Sequence, residues 1–224
     1  MVRIYLKGAG SGILNPCAKI LGFGSAPLNL QIEVTADTVM ATARAAEKQV
    51  TAAMKASAKA NKGKMVGLKY KFKTKDSMVT KIKRELKANP AMNVNNVTTN
   101  RLNDSLRYTV QFPEKNYTAG VKNTLGTLKK KGYKVDEVKN YWNPKKAGQG
   151  VYKGVNTVVT DPTGKKFELQ FHTAKSLDVK ERVSHPVYKK LQETRSDKKR
   201  KGYIETLRKT WEEDVRVPEG ALGI

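Results

Sequence analysis

Val155-Asn156-Thr157-Val158-Val159-Thr160-Asp161-Pro162-Thr163-Gly164-Lys165-Lys166-Phe167-Glu168-Leu169-Gln170-Phe171-His172 reads as two strands around a turn. Asp-Pro-Thr-Gly supplies a residue that bonds its own backbone, a proline with φ already set, and a glycine free to take positive φ. Beyond the turn, Phe167, Leu169 and Phe171 alternate with Glu168, Gln170 and His172, so the two sets face opposite sides of a sheet. Working outward, residues 151–160 and 166–172 form a hairpin, and residues 133–142 are a third strand candidate before them. Leu106 to Phe112 alternates like a strand too. Tyr117, Val121, Leu125 and Leu128 mark one face of a helix that stops at Gly132, and residues 77–86 form a basic amphipathic helix ended by Asn89-Pro90. The tail from Lys175 to about Asp214 is helical, with breaks expected near Ser196 and Gly202. This order predicts an α/β (α+β) domain, a mixed sheet of about five strands flanked by helices.

The region before Gly67 has a different texture. Residues 2–6 are strand-like, and Gly8-Ala9-Gly10-Ser11-Gly12 is a turn or linker that lacks the Gly-Lys-Ser/Thr ending of a phosphate loop. Residues 35–60 place Val39, Ala43, Val50 and Met54 at helical intervals, with a start near Thr35 or Asp37 and a stop at Asn61-Lys62-Gly63. The expected division is an N-terminal extension over 1–66 and a catalytic-type domain over 67–224.

The 224 residues suit one good-sized domain, and 38% hydrophobic composition is enough to close a core. One cysteine, Cys17, excludes an internal disulfide framework, and two histidines leave any metal to carboxylates. The net charge of +24 points to a polyanionic partner: nucleic acid, nucleotide phosphates or an anionic surface. Residues 61–224 carry most of it, with 37 basic and 17 acidic side chains. The apolar stretch over 8–32 is broken by five glycines and two prolines, so no membrane span is expected.

Three constellations could carry chemistry. Asp104 precedes one strand and Glu168 lies within another; carboxylates on neighbouring strands can hold magnesium against a triphosphate, or can simply pair with lysines. Lys71, Lys73 and Lys75 alternate into a helix opened at Ser77, with Lys81 one turn later. Such lysines at a helix N-terminus make a triphosphate cradle, or a plain basic surface. Tyr152, beside Lys153-Gly154, offers a face for a base or belongs to the core.

Taken in order, these pieces resemble the synthetase domain of the RelA/SpoT-type alarmone enzymes, its compact single-domain and toxin versions above all. The counterparts are Lys71/Lys73/Ser77/Lys81, Asp104 with Arg107, Lys139-Asn140-Tyr141, Tyr152-Lys153-Gly154, and Glu168-Leu169-Gln170-Phe171-His172-Thr173, followed by His185. They span roughly residues 67–195. The resemblance implies a nucleotidyltransferase-like fold. It also implies Mg2+-dependent transfer of the β,γ-pyrophosphate of ATP to the ribose 3′-hydroxyl of ADP, ATP, AMP, GDP or GTP. It assigns Lys71, Lys73, Ser77, Lys81 and Arg107 to ATP, and Asp104 and Glu168 to catalysis and the metal. Tyr152, Lys153, Asn156, Gln170 and His172 fall to the acceptor, with Lys153 or Arg107 near its phosphates.

Three departures bear on the acceptor: Arg107 comes three residues after Asp104, His172 replaces an arginine, and Asn156 stands where a histidine is usual. The hydrolase domain's His-Asp pair is absent, which suits a toxin acting in a cytoplasm, delivered as a secreted or phage-borne module and neutralised by an acidic immunity or antitoxin protein. The competing expectations are pyrophosphorylation of the tRNA 3′ end, a non-enzymatic basic RNA-binding protein, and a degenerate synthetase serving as a structural module. An ADP-ribosyltransferase fits poorly, because the chain has no Glu-x-Glu pair.

Overall fold

The structure, a computed structural model, describes residues 26–143 and 151–224. The expected strand at 2–6, the glycine-rich turn at 8–12 and Cys17 lie outside the described residues. Five strands form one sheet: β1 (Lys64–Val66), β2 (Arg107–Phe112), β3 (Lys134–Asn140), β4 (Val155–Thr160) and β5 (Lys166–Thr173), in the order β1-β2-β5-β4-β3. Only β2 and β5 run parallel; the other neighbours are antiparallel. The hairpin β4–β5 turns as its sequence indicates, with the Asp161 carboxylate accepting from the backbone N–H of Thr163 and Lys165. Strand β4 starts at Val155 rather than Val151, because Gly154 breaks the approach to it.

Alternation decides the faces. Tyr108, Val110 and Phe112 of β2 and Phe167, Leu169 and Phe171 of β5 are all buried against helices α1 (Leu28–Ala60) and α4 (Tyr117–Lys130). Each such aromatic or aliphatic side chain contributes about 1.5–3 kcal/mol when fully buried. Helix α1 begins at Leu28, behind Pro27, two turns before the expected start. The apolar stripe continues back through Ala36 and Ile32, and Thr35 is itself buried.

The helix ends where the sequence indicates, in a Schellman turn: Gly63 N–H donates to Ala58 O at 2.8 Å and Lys62 N–H to Lys59 O at 3.1 Å. Lys62, not glycine, takes the left-handed position with φ 61°. Gly63 is required for a different reason, since a Cβ there would stand 2.6 Å from Phe112 Cε1. A Cβ on Gly120 of α4 would stand 2.4 Å from the same atom.

A second apolar cluster joins Ile32, Val39 and Met40 of α1 to Met78 and Ile82 of α2 (Lys75–Ala88) and Val94 and Val97 of α3 (Val94–Arg101). Helix α2 opens two residues before Ser77, capped by Thr74, whose hydroxyl accepts from Ser77 N–H at 3.2 Å. On the other side of the sheet lie α5 (Ala174–Val179), a π-helical turn (Lys180–Ser184), α6 (His185–Glu193) and α7 (Asp197–Asp214). The break at Ser196 is present, where that residue caps α7. The one expected at Gly202 is not: α7 runs through it, anchored by buried Leu207 and Trp211. A single helical glycine costs about 1 kcal/mol, which such anchors outweigh. Among the described residues no helix is long and apolar enough to cross a membrane.

Candidate functional site

The segment after β1 builds the cationic half. Phe72 bridges to Leu106, Lys73 N–H donates to Ser105 O at 3.1 Å, and Arg107 N–H donates to Lys71 O at 2.8 Å. This pairing extends the sheet by a few residues and lays Lys71 and Lys73 beside the approach to β2. Helix α2 then carries Lys81 back to the same point. Asp104 receives both lysines: Lys73 Nζ lies 3.0 Å from Oδ2 and Lys81 Nζ 2.7 Å from Oδ1. Burial opposes the charge on Asp104, but the ammonium groups of Lys81 and Lys73 outweigh it and hold the carboxyl below its usual range. The side chain keeps 20% of its exposure, so an oxygen of a ligand can still reach it.

Glu168 lies on β5, the neighbour of β2. In the parallel register it pairs with Arg107, and its N–H donates to Leu106 O at 3.0 Å, two residues beyond Asp104. It is half-buried, as is Gln170. Magnesium bound with nucleotide phosphates commonly takes only one or two protein carboxylates. Asp104, in the turn before β2, and Glu168, on the neighbouring β5, are hard oxygen donors that fit that requirement. Among the described residues no group of three or more His, Cys, Asp or Glu could hold a metal alone.

The remaining cations are held from α1. Lys71 Nζ lies 3.0 Å from Glu47 Oε1, and Lys75 pairs with Glu33 and Asp37 at 3.2 and 2.9 Å. Glu47 is in turn bonded by Thr51, whose hydroxyl meets Tyr108 Oη at 2.7 Å. Ser77 is exposed in the first turn of α2, its Oγ 2.8 Å from Thr74 Oγ1.

The residues expected at the acceptor divide sharply. Tyr152, Asn156 and His172 come together, but in a packed network. Tyr152 Oη donates to Asn156 Oδ1 at 2.9 Å and meets His172 Nε2 at 2.7 Å, while His172 Nδ1 lies 2.9 Å from Ser176 Oγ. The Tyr152 ring is met edge-on by Tyr141, His172 and Trp211. His172 is fully buried, and burial, aided by the Lys180 charge, holds its pKa well below the usual value. His172 therefore corrects the expectation of direct acceptor contact: both its nitrogens are engaged inside the protein. Tyr152 is partly exposed, with its ring packed edge-on against those three neighbours. Burial pushes its hydroxyl well above the usual range.

Gly154 is what lets the network close, since a Cβ there would stand 2.9 Å from both His172 Cε1 and Tyr152 Oη. Lys153 beside it is partly exposed. Asn140, in the Lys139-Asn140-Tyr141 stretch, is buried and donates to Ala221 O at 2.8 Å, away from the site.

Arg107 and Gln170 instead line an open cavity of about 630 Å³, together with Tyr70, Thr109, Lys180 and His185. Tyr70 is 62% exposed, with Lys69 Nζ 4.9 Å from its ring centroid. Lys180, Tyr70 and the cavity itself went unread in the sequence. Tyr70 sits one residue before the first lysine quoted, and nothing in periodicity marks Lys180, whose direction depends on the π-helical turn.

No family model and no curated protein matches the sequence. Solved structures do match. Small alarmone synthetase 2 from Bacillus subtilis superposes with a TM-score of 0.54 at 13% identity, covering 80% of this chain and 93% of that one. Small alarmone synthetase 1 from the same organism gives 0.53 at 14%, covering 80% and 91%. The chain has the alarmone-synthetase fold. A third structure, the Type VI effector Tas1 in complex with its immunity protein, matches with a TM-score of 0.50 at 17% identity, covering 79% of this chain and 94% of that one. The mixed five-stranded sheet and flanking helices expected from the sequence are thus those of the alarmone-synthetase fold, with α1 packed onto it.

Proposed function

We propose that the protein transfers the β,γ-pyrophosphate of ATP to the ribose 3′-hydroxyl of a nucleotide, releasing AMP. The observation that carries this reading is the convergence of Lys73 and Lys81 on Asp104, with Glu168 on the adjoining strand. The alarmone-synthetase fold supports it, since a cation cluster and two carboxylates on that scaffold are what phosphoryl chemistry needs.

In this reading Lys71, Lys73 and Lys81 bind the ATP phosphates, and the first turn of α2, with Ser77, adds backbone N–H groups and its dipole. Asp104, with Glu168, would hold a magnesium ion, which would supply positive charge against the phosphates. Glu168 takes the proton of the 3′-hydroxyl as its oxygen bonds to the β-phosphorus and the bond from that phosphorus to the AMP oxygen breaks. The protein's share is mainly positioning and charge stabilisation. A toxin role and an acidic immunity partner are proposed by analogy with the Tas1 complex. The nucleotide pools of a cytoplasm are the proposed site of action.

Incubation with Mg2+, γ-labelled ATP and separate pools of adenine nucleotides, guanine nucleotides and deacylated tRNA tests the reading. Label reaching a nucleotide, with equimolar AMP, supports it. Label on tRNA moves the acceptor to RNA, a course that the +24 charge favours. Salt-sensitive RNA binding with no transfer to any pool overturns the enzyme reading.

A further inference from the structure

Lys180 opens the π-helical turn between α5 and α6. Such turns insert one extra residue and re-aim a side chain, and they recur at functional sites. Here the side chain is turned inward: it keeps 14% of its exposure and lies 2.7 Å from Gln170 Oε1 and 3.4 Å from Glu181 Oε1. Lysine is seldom buried without a close counter-charge. Its short bond is to a neutral amide, and Glu181 is half-exposed and shared with His185, whose Nδ1 stands 3.2 Å from it. Two of the three ammonium donors are thereby used, leaving one for the cavity.

The titratable groups around it are Glu181 on its own turn, His185 at the start of α6, Glu168 on β5 and Arg107 on β2. Burial lowers the Lys180 pKa, so the ammonium is held at a cost that an incoming anion would relieve. Arg107 lines the same cavity. Strand β5 meanwhile has no cation after Gln170, because His172 is neutral and buried.

We infer that Lys180 is a substrate-contacting residue, which with Arg107 binds a phosphate group of a nucleoside polyphosphate in the cavity. This rests on the proposed pyrophosphate transfer for its setting, but the binding itself needs no turnover. The anion is recognised by one rigid fork and one point charge, a pairing suited to a polyphosphate rather than a lone carboxylate.

The test uses the full chain with three variants, Lys180→Arg, Lys180→Met and Lys180→Gln, and calorimetric binding of a non-hydrolysable ATP analogue, of ADP and of GDP. Lys180→Met and Lys180→Gln should weaken at least one of these by about tenfold or more, and Lys180→Arg should restore most of it. The nucleotide affected tells donor from acceptor. Unchanged affinity for all three in Lys180→Met, or weakening that Lys180→Arg fails to rescue, would overturn the inference and leave a structural tie to Gln170. If Lys180→Met melts early, the Lys180→Gln and Lys180→Arg pair decides alone. Charge-dependent nucleotide binding without any pyrophosphate transfer would retain this site while removing the proposed reaction.

Discussion

The Asp104 cluster, at the approach to β2, and the Tyr152–His172 network, beside β4, β5 and α5, differ in almost everything. Around Asp104 the groups are charged and reached by solvent, and each lysine has a carboxylate partner at 2.7 to 3.0 Å. Around His172 the groups are neutral, buried or half-buried, and joined by a single run of hydrogen bonds from Ser176 to Asn156. Charged groups left accessible can exchange partners when a ligand arrives. A neutral network with its donors and acceptors matched has no such freedom and serves to hold β4, β5 and α5 together. Residues equally prominent in a motif can thus belong to the chemistry or to its frame.

The largest effects should separate the two. Glu168→Gln and Asp104→Asn are expected to reduce pyrophosphate transfer on the order of a thousandfold while shifting stability by less than about 1 kcal/mol. Tyr152→Ala should do the reverse at the level of the fold, costing about 3–5 kcal/mol in denaturant unfolding through the cavity it leaves beside Trp211 and Tyr141. If Tyr152→Ala keeps wild-type stability and loses only acceptor affinity, the division proposed here fails.

The next effect is in pH. Because burial holds the folded-state pKa of His172 well below 6.5, the unfolded chain binds the proton first as pH falls through that value. Stability should therefore drop below about pH 6.5, by up to about 1.4 kcal/mol per unit, until the folded-state pKa is reached. The Asp104 pairs, with a lowered carboxyl pKa, add stability that is lost only at more acid pH, as it falls through the folded value. Melting curves of His172→Gln from pH 7.5 to 5 should lack most of the upper slope; a slope unchanged from wild type would contradict the neutral buried imidazole.

The smallest effect is at Glu47, which holds Lys71 from α1. Glu47→Gln keeps the Thr51 contact but removes the ion pair, and should change the KM for ATP by about two- to fivefold with little change in kcat. No change in KM would show that Lys71 needs no restraint from α1.

Some of this was legible in residues and some was not. The facing of Glu168 and Gln170 follows from period-two alternation with Phe167, Leu169 and Phe171, and the Asp161 turn from its side-chain chemistry. Lys73 and Lys81 are eight residues apart and meet only because a helix starts between them, read from Ser77 and found to open two residues earlier behind the Thr74 cap. Alternation states which face a side chain takes but not what covers that face, so His172 reads as open until α5 and α7 are in place. Helix α3 was unread, since Val-Asn-Asn-Val-Thr-Thr-Asn-Arg has poor helix formers and only Val94 and Val97 to bury. Its stability comes from the Asn93 cap and from packing on α1 and α2.

Phe112, clamped between Gly63 and Gly120, makes two positions 57 residues apart answer to one ring. Alanine at either would press on the same Cε1 edge, and whichever came first would displace the ring for the second. The two penalties are then subadditive, so the chain pays once for moving Phe112 and a smaller side chain at 112 would forgive both. Three sites that look independent along the sequence would drift together, as a single unit of mutational history.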